Sequence, residues 1–162
     1  MNKYIVGGII IAVLGALLFL NSPNSENPKT KKIGPVASVI SFTKDTYDFG
    51  DIDIFGGKVQ TTYTIKNDGT EDVVILSAVT SCSCTEGQIG KLTFGMHESS
   101  GERVTIPAGG EKTLTATFNP LAHGPNAVGK IKRELILKTN STVTPQVVVS
   151  FRGDVIKKDT KK

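Results

Sequence analysis

The chain has 162 residues, one domain's worth with a little left over, and carries a net charge of +4 at pH 7. That positive charge sits at the ends: residues 1–34 carry net +3 and residues 157–162 another +3, while residues 35–156 hold eleven basic and thirteen acidic groups. Basic ends on a slightly acidic body, with three tyrosines, seven phenylalanines and no tryptophan, exclude a nucleic-acid groove and a base-stacking platform.

Residues 4–20, YIVGGIIIAVLGALLFL, hold no charge and follow Lys3. Seventeen apolar residues are at the short end of what spans a bilayer as a helix. A cleaved signal peptide is the competing reading, but no A-x-A triplet follows and Pro23 directly succeeds the best small residue, Ser22. The segment 1–20 therefore reads as an uncleaved, single-pass N-terminal anchor. A literal count of positive charges, Lys3 before the span against Lys29, Lys31 and Lys32 after it, would leave the downstream part in the cytoplasm. Those lysines lie about ten residues away, and so short an N-terminal start resembles a signal-anchor; the expectation is a cell-membrane protein whose domain faces the extracytoplasmic side. Residues 21–36, NSPNSENPKTKKIGPV, have no periodic apolar positions and read as a flexible stalk.

From residue 37 the pattern changes to period-two alternation, which makes half-buried strands because successive side chains leave a strand on opposite sides. Residues 59–65 place Val59, Tyr63 and Ile65 on one face; residues 112–118 do so with Leu114, Ala116 and Phe118. Leu135 and Leu137, then Val147, Val149 and Phe151, continue the pattern. The apolar run DVVILSAV (72–79) reads as a strand buried on both faces. Turn signals separate these runs, among them Asn67-Asp68-Gly69, read as supplying the positive φ of a tight hairpin. Six to eight short strands and no helical period after residue 20 predict an all-β, antiparallel β-sandwich over 37–156, followed by a basic tail at 157–162.

Three segments, in order, resemble a known family. TYDFGDI (46–52), Gly57 and YTIKNDG (63–69) are similar to its opening "Y-D-F-G-x-I", glycine and "N-x-G". SCSCT (81–85) resembles its central "S-C-G-C-T", and IPAGG (106–110) its "P-P-G-E" turn. The family is the bacterial domain of unknown function 1573, related to immunoglobulin-like modules of the Hydin and MSP type, and the match covers about residues 42–155. It implies an immunoglobulin-like sandwich on an exported or membrane-anchored protein, and no activity. The chain departs from the pattern at Ser83, where the family has glycine, and in a glycine-rich insertion at 87–103 that holds Met96 and His97.

Cys82 and Cys84 are the only thiols. In an extended strand their Cα atoms would lie roughly 6.5 Å apart, so they bond to each other only where the chain bends. Same-face thiolates also suit a soft metal: Cu(I) accepts two or three sulfur or imidazole ligands and Zn²⁺ wants four, which Cys82, Cys84, His97 and His123 could supply. The plain alternative is a pair of small buried apolar groups, with Thr80 and Thr85 as hydrogen-bonded strand-end residues. Asp48, Asp51 and Asp53 alternate along what reads as a glycine-rich loop, a poor calcium site without a closing glutamate. With no nucleophile elbow, phosphate-cradling loop or H-E-x-x-H, catalytic residues are none and the chain is expected not to be an enzyme. The expected function is an anchored extracytoplasmic binding module for a protein partner at the cell surface or periplasm. The alternative is thiol redox through Cys82 and Cys84, or Cu or Zn handling.

Overall fold

The alternating runs become strands β1 (Ile40–Phe42), β2 (Thr46–Asp53), β3 (Val59–Asn67), β4 (Val73–Thr80), β5 (Thr85–Ile89), β6 (Leu92–Phe94), β7 (Val104–Ile106), β8 (Glu111–Phe118), β9 (Gly129–Thr139) and β10 (Gln146–Ile156). A 3-10 turn, Pro120–His123, follows β8. The computed structural model describes residues 33–97, 99 and 103–158. The expected anchor at 1–20, residues 21–32 of the stalk and 159–162 of the tail lie outside them. Among the described residues no helix is long and apolar enough to cross a membrane.

One sheet has the order β1-β3-β8-β5-β6 and the other β2-β10-β9-β4-β7. Lettering the strands shared with a constant-type immunoglobulin domain in chain order, β1-β3-β8-β5 is A-B-E-D and β4-β9-β10 is C-F-G. The chain is thus an immunoglobulin-like sandwich, with β2, β6 and β7 as added edge strands. The expectation of a wholly antiparallel sandwich is corrected: β2 runs parallel to β10. The first strand is split, β1 in one sheet and β2 in the other, and its second half lands beside the final strand.

The core is where the alternation put it. Tyr63, Ile65, Leu114 and Phe118 from one sheet and Leu135, Leu137, Val149 and Phe151 from the other belong to one buried cluster. Phe118 and Phe151 pack with ring centroids 5.6 Å apart. The buried Tyr63 hydroxyl donates to the carbonyl of Ser150 at 2.7 Å, so its polar atom is satisfied inside the sandwich.

Further readings differ from the structure. β4 is buried on both faces only over residues 73–75: at the register shift between Ile75 and Ser77, Leu76 is 37% exposed. Asn67-Asp68-Gly69 makes no hairpin and has no positive φ; β3 and β4 belong to opposite sheets, and Gly69 is needed because a Cβ there would lie 2.3 Å from Ser38 Oγ. The start of the insertion at 87–103 belongs to the hairpin β5–β6, in which Gly87 lies opposite Phe94 and a Cβ at 87 would meet that ring at 2.2 Å. The aspartates 48, 51 and 53 sit on β2, where Asp48 accepts from Arg152 Nε at 2.9 Å. A bond from the Gly50 amide, with that from Arg152 second, holds the Asp48 carboxyl below the usual carboxylate range. Gly34 and Val36 of the expected stalk are already bonded to the sandwich, Gly34 O accepting from Asn140 Nδ2 at 2.7 Å and Val36 N donating to Asn140 O at 3.0 Å.

Candidate functional site: a cysteine corner

β4 ends at Thr80 in one sheet and β5 begins at Thr85 in the other, so residues 81–84 make the crossing. The amide of Thr85 donates to Cys82 O at 3.1 Å, closing a four-residue turn with Ser83 and Cys84 at its centre. No non-glycine residue among those described has positive φ, so serine fits where the family pattern has glycine. The turn is fixed from several sides. Thr80 Oγ1 lies 3.0 Å from Cys82 O and 3.1 Å from Thr85 O, and donates between them. Ser81 N donates to Glu134 O at 2.9 Å while Glu134 N donates to Ser81 Oγ at 2.9 Å, which ties the corner to β9.

The bend brings the two Cα atoms to 5.2 Å, and Cys82 and Cys84 form a disulfide. Its sulfurs occupy different surroundings. Cys84 is 3% exposed and its sulfur accepts from Arg133 Nε at 3.2 Å. Cys82 is half-buried, and its sulfur lies 3.3 Å from His123 Nε2.

The 3-10 turn explains how His123 arrives. Asn119 caps it by accepting from Leu121 N at 3.1 Å, Pro120 supplies a preset φ, and Gly124 ends it at φ 90°. Asn119 N also donates to Cys84 O at 2.9 Å, so the histidine-bearing turn is hinged on the disulfide itself. Arg133 comes from β9, where its Nη1 donates to Lys132 O at 2.8 Å and aims the guanidinium. An open cleft of about 320 Å³ borders the corner, lined in part by Lys58, Ser83, Cys84, Glu86, Phe94 and Asn119.

Of the four residues drawn as a metal set, Cys82, Cys84 and His123 place their ligand atoms within 4.8 Å of one another; His97 does not join them and is exposed. Two thiolates and an imidazole would suit three-coordinate Cu(I) once the disulfide is reduced, and fall one ligand short of a closed zinc site. The Arg133 guanidinium beside Cys84 opposes a second cation but favours a thiolate. Arg133 is the site residue that sequence reasoning missed. It is 49 positions from Cys84 and, by alternation, shares the inward face of Leu135 and Leu137, but nothing in the sequence ties it to the cysteines.

A model of the family described as "Protein of unknown function (DUF1573)" matches residues 40–155. No curated protein matches the chain. Among solved structures, a protein of unknown function from Porphyromonas gingivalis W83 is similar with a TM-score of 0.59 at 14% identity; the match covers 80% of this chain and 51% of that one. A family 123 glycoside hydrolase from Clostridium perfringens is similar at TM-score 0.53 and 6% identity, over 76% of this chain and 28% of that one. The ASH/PapD-like domain 7 of human CEP192 gives 0.49 at 12% identity, over 82% of this chain and 94% of that domain. The chain thus spans about half the length of the Porphyromonas protein, and these likenesses are of fold.

Proposed function

The chain belongs to the DUF1573 family, its model matching residues 40–155, and from that premise we propose that it is an extracytoplasmic binding module held at the cell membrane by residues 1–20. The Cys82–Cys84 disulfide carries this reading, since such bonds persist in oxidising compartments and are rare in a reducing cytoplasm. It favours the outward orientation expected from the short N-terminal start, against the literal count of lysines. The partner is a protein. Edge strands β1, β6 and β7 have three residues each, while β2 has eight and is the edge long enough to template an added strand.

Protease treatment of intact cells carrying the chain tests the orientation. Release of a fragment containing residues 37–156 without lysis is the expected result; protection until the membrane is broken overturns it.

A second reading, thiol redox or soft-metal handling through SCSCT, is favoured by the convergence of Cys82, Cys84 and His123. Titrating Cu(I) and Zn²⁺ into the reduced chain separates its two halves. Stoichiometric uptake lost in the Cys82→Ser/Cys84→Ser variant supports metal handling; reversible thiol chemistry without uptake supports redox.

A further inference from the structure

The two sulfurs of the disulfide are unequal in a way that assigns them different parts in an exchange reaction. We propose that Cys82–Cys84 is a thiol–disulfide exchange centre for dithiols, in which Cys82 is the sulfur attacked and Cys84 the sulfur released. This rests on the redox half of the second reading above.

Attack on a disulfide needs access to one sulfur and a good leaving group at the other. Cys82 is half-buried beside the exposed His123, while Cys84 is 3% exposed and is the one that an arginine touches, at 3.2 Å. Arginine stays protonated at any physiological pH, so the released Cys84 sulfur meets a full positive charge as its own negative charge develops.

The balance is simple. A substrate thiolate bonds to Cys82 Sγ, the Cys82–Cys84 bond breaks, and its electron pair leaves on Cys84 as a thiolate against Arg133. The substrate's second thiol, once deprotonated, attacks its own sulfur in the mixed disulfide and expels Cys82 as a thiolate. His123 Nε2, 3.3 Å from Cys82 Sγ, is placed to hydrogen-bond that thiolate in the tautomer or ion that carries a proton there. Two electrons pass from the dithiol to the protein; the substrate leaves as a disulfide, and its two protons go to the protein thiols or to solvent. An open cleft flanked by Phe94, Lys58 and Glu86 lies on the Cys84 side of the corner.

The chain of residues 1–162 in detergent provides the test. Wild type, Arg133→Met and Arg133→Lys are equilibrated in dithiothreitol buffers of graded ratio, and the reduced fraction is read by alkylation and mass. Removing the charge is expected to disfavour the reduced form about tenfold, a potential lower by ~30 mV for a two-electron couple, with most of the effect restored by lysine. Equal constants for wild type and a folded Arg133→Met overturn the role of Arg133. In parallel, wild type is mixed with a reduced two-cysteine peptide, acid-quenched, and the adduct located by peptide mass. An adduct on Cys82 is expected, and one on Cys84 overturns the assignment whether or not the arginine variants fold. Exchange with dithiothreitol but none with the peptide would overturn access by polypeptide and leave a small-molecule dithiol as the substrate. A disulfide that exchanges with neither reagent ends the redox reading itself.

Discussion

Reduction of the disulfide should leave the sandwich folded. The bond joins residues two apart, so the loop it closes is only Cys82-Ser83-Cys84. On the chain-entropy relation a loop of that size restrains the unfolded chain by about 1.5 kcal/mol, half of what a fifteen-residue loop would contribute. The corner is also held without it, by the Thr85-to-Cys82 turn bond, the paired bonds of Ser81 with Glu134, and Asn119 N on Cys84 O. Urea unfolding of oxidised and reduced chain, followed by far-UV circular dichroism because tryptophan is absent, measures the difference. With slopes of about 2 kcal/mol/M, the midpoint should fall by less than about 1 M and the reduced chain should retain its native spectrum. A loss above about 3 kcal/mol, or collapse of the β signal on reduction, would make the bond a staple. The exchange reading would then lose its footing, because each round of exchange would unfold the domain.

Other parts of the fold make equally definite statements. Asn67 is fully buried; its Nδ2 donates to Glu71 O, Ile106 O and Pro107 O at 2.8, 3.0 and 3.1 Å, and its Oδ1 accepts from Gly69 N at 3.1 Å. Asn67→Ala should cost about 3 kcal/mol, roughly 10 °C in melting temperature, and a loss under about 0.5 kcal/mol would contradict that bonding. Gly87→Ala should cost about 2–3 kcal/mol by expelling the Phe94 ring, and adding Phe94→Ala should cost less than the two single changes summed. Strict additivity in that cycle would count against the contact. Burial raises the Tyr63 hydroxyl well above its ordinary pKa of 10.0. Its folded value exceeds its unfolded one, so the stability it contributes is complete below pH ~10 and is lost as pH rises beyond that. Tyr63→Phe should cost about 1 kcal/mol at neutral pH through the lost bond to Ser150, and should flatten the alkaline decline. Parallel declines in both proteins would contradict it.

Much of the sandwich was legible because its central strands, β3, β8, β9 and β10, each have one face in the core, and that asymmetry writes itself as alternation. The β5–β6 hairpin was not legible. Its inward positions include Gly87, which gives no apolar signal because Phe94 fills the space its side chain would take. Asp48, Asp51 and Asp53 hid β2 for a related reason: an edge strand with an exposed side tolerates charges that a central strand would not. At the site, the Cys-x-Cys spacing announced the pair, but whether the chain bends there depends on bonds to β9 and to Asn119, both distant in sequence. His123 and His97 looked alike as loop histidines. The feature that separates them is local, an Asn-Pro start and a glycine stop around a single 3-10 turn at 119–124. Alternation puts Arg133 on the inward face with Leu135 and Leu137, but only the pairing of β4 with β9 shows that this brings it to the sulfur.

The most direct measurement is the state of the two cysteines where the protein lives. Intact cells carrying the chain are quenched in acid and alkylated, and the peptide holding residues 81–85 is weighed. Recovery of an intramolecular disulfide that opens and re-forms as dithiothreitol is added to and washed from unlysed cells is predicted. Two free, alkylated thiols in untreated cells would contradict both the outward orientation and the exchange chemistry built on it.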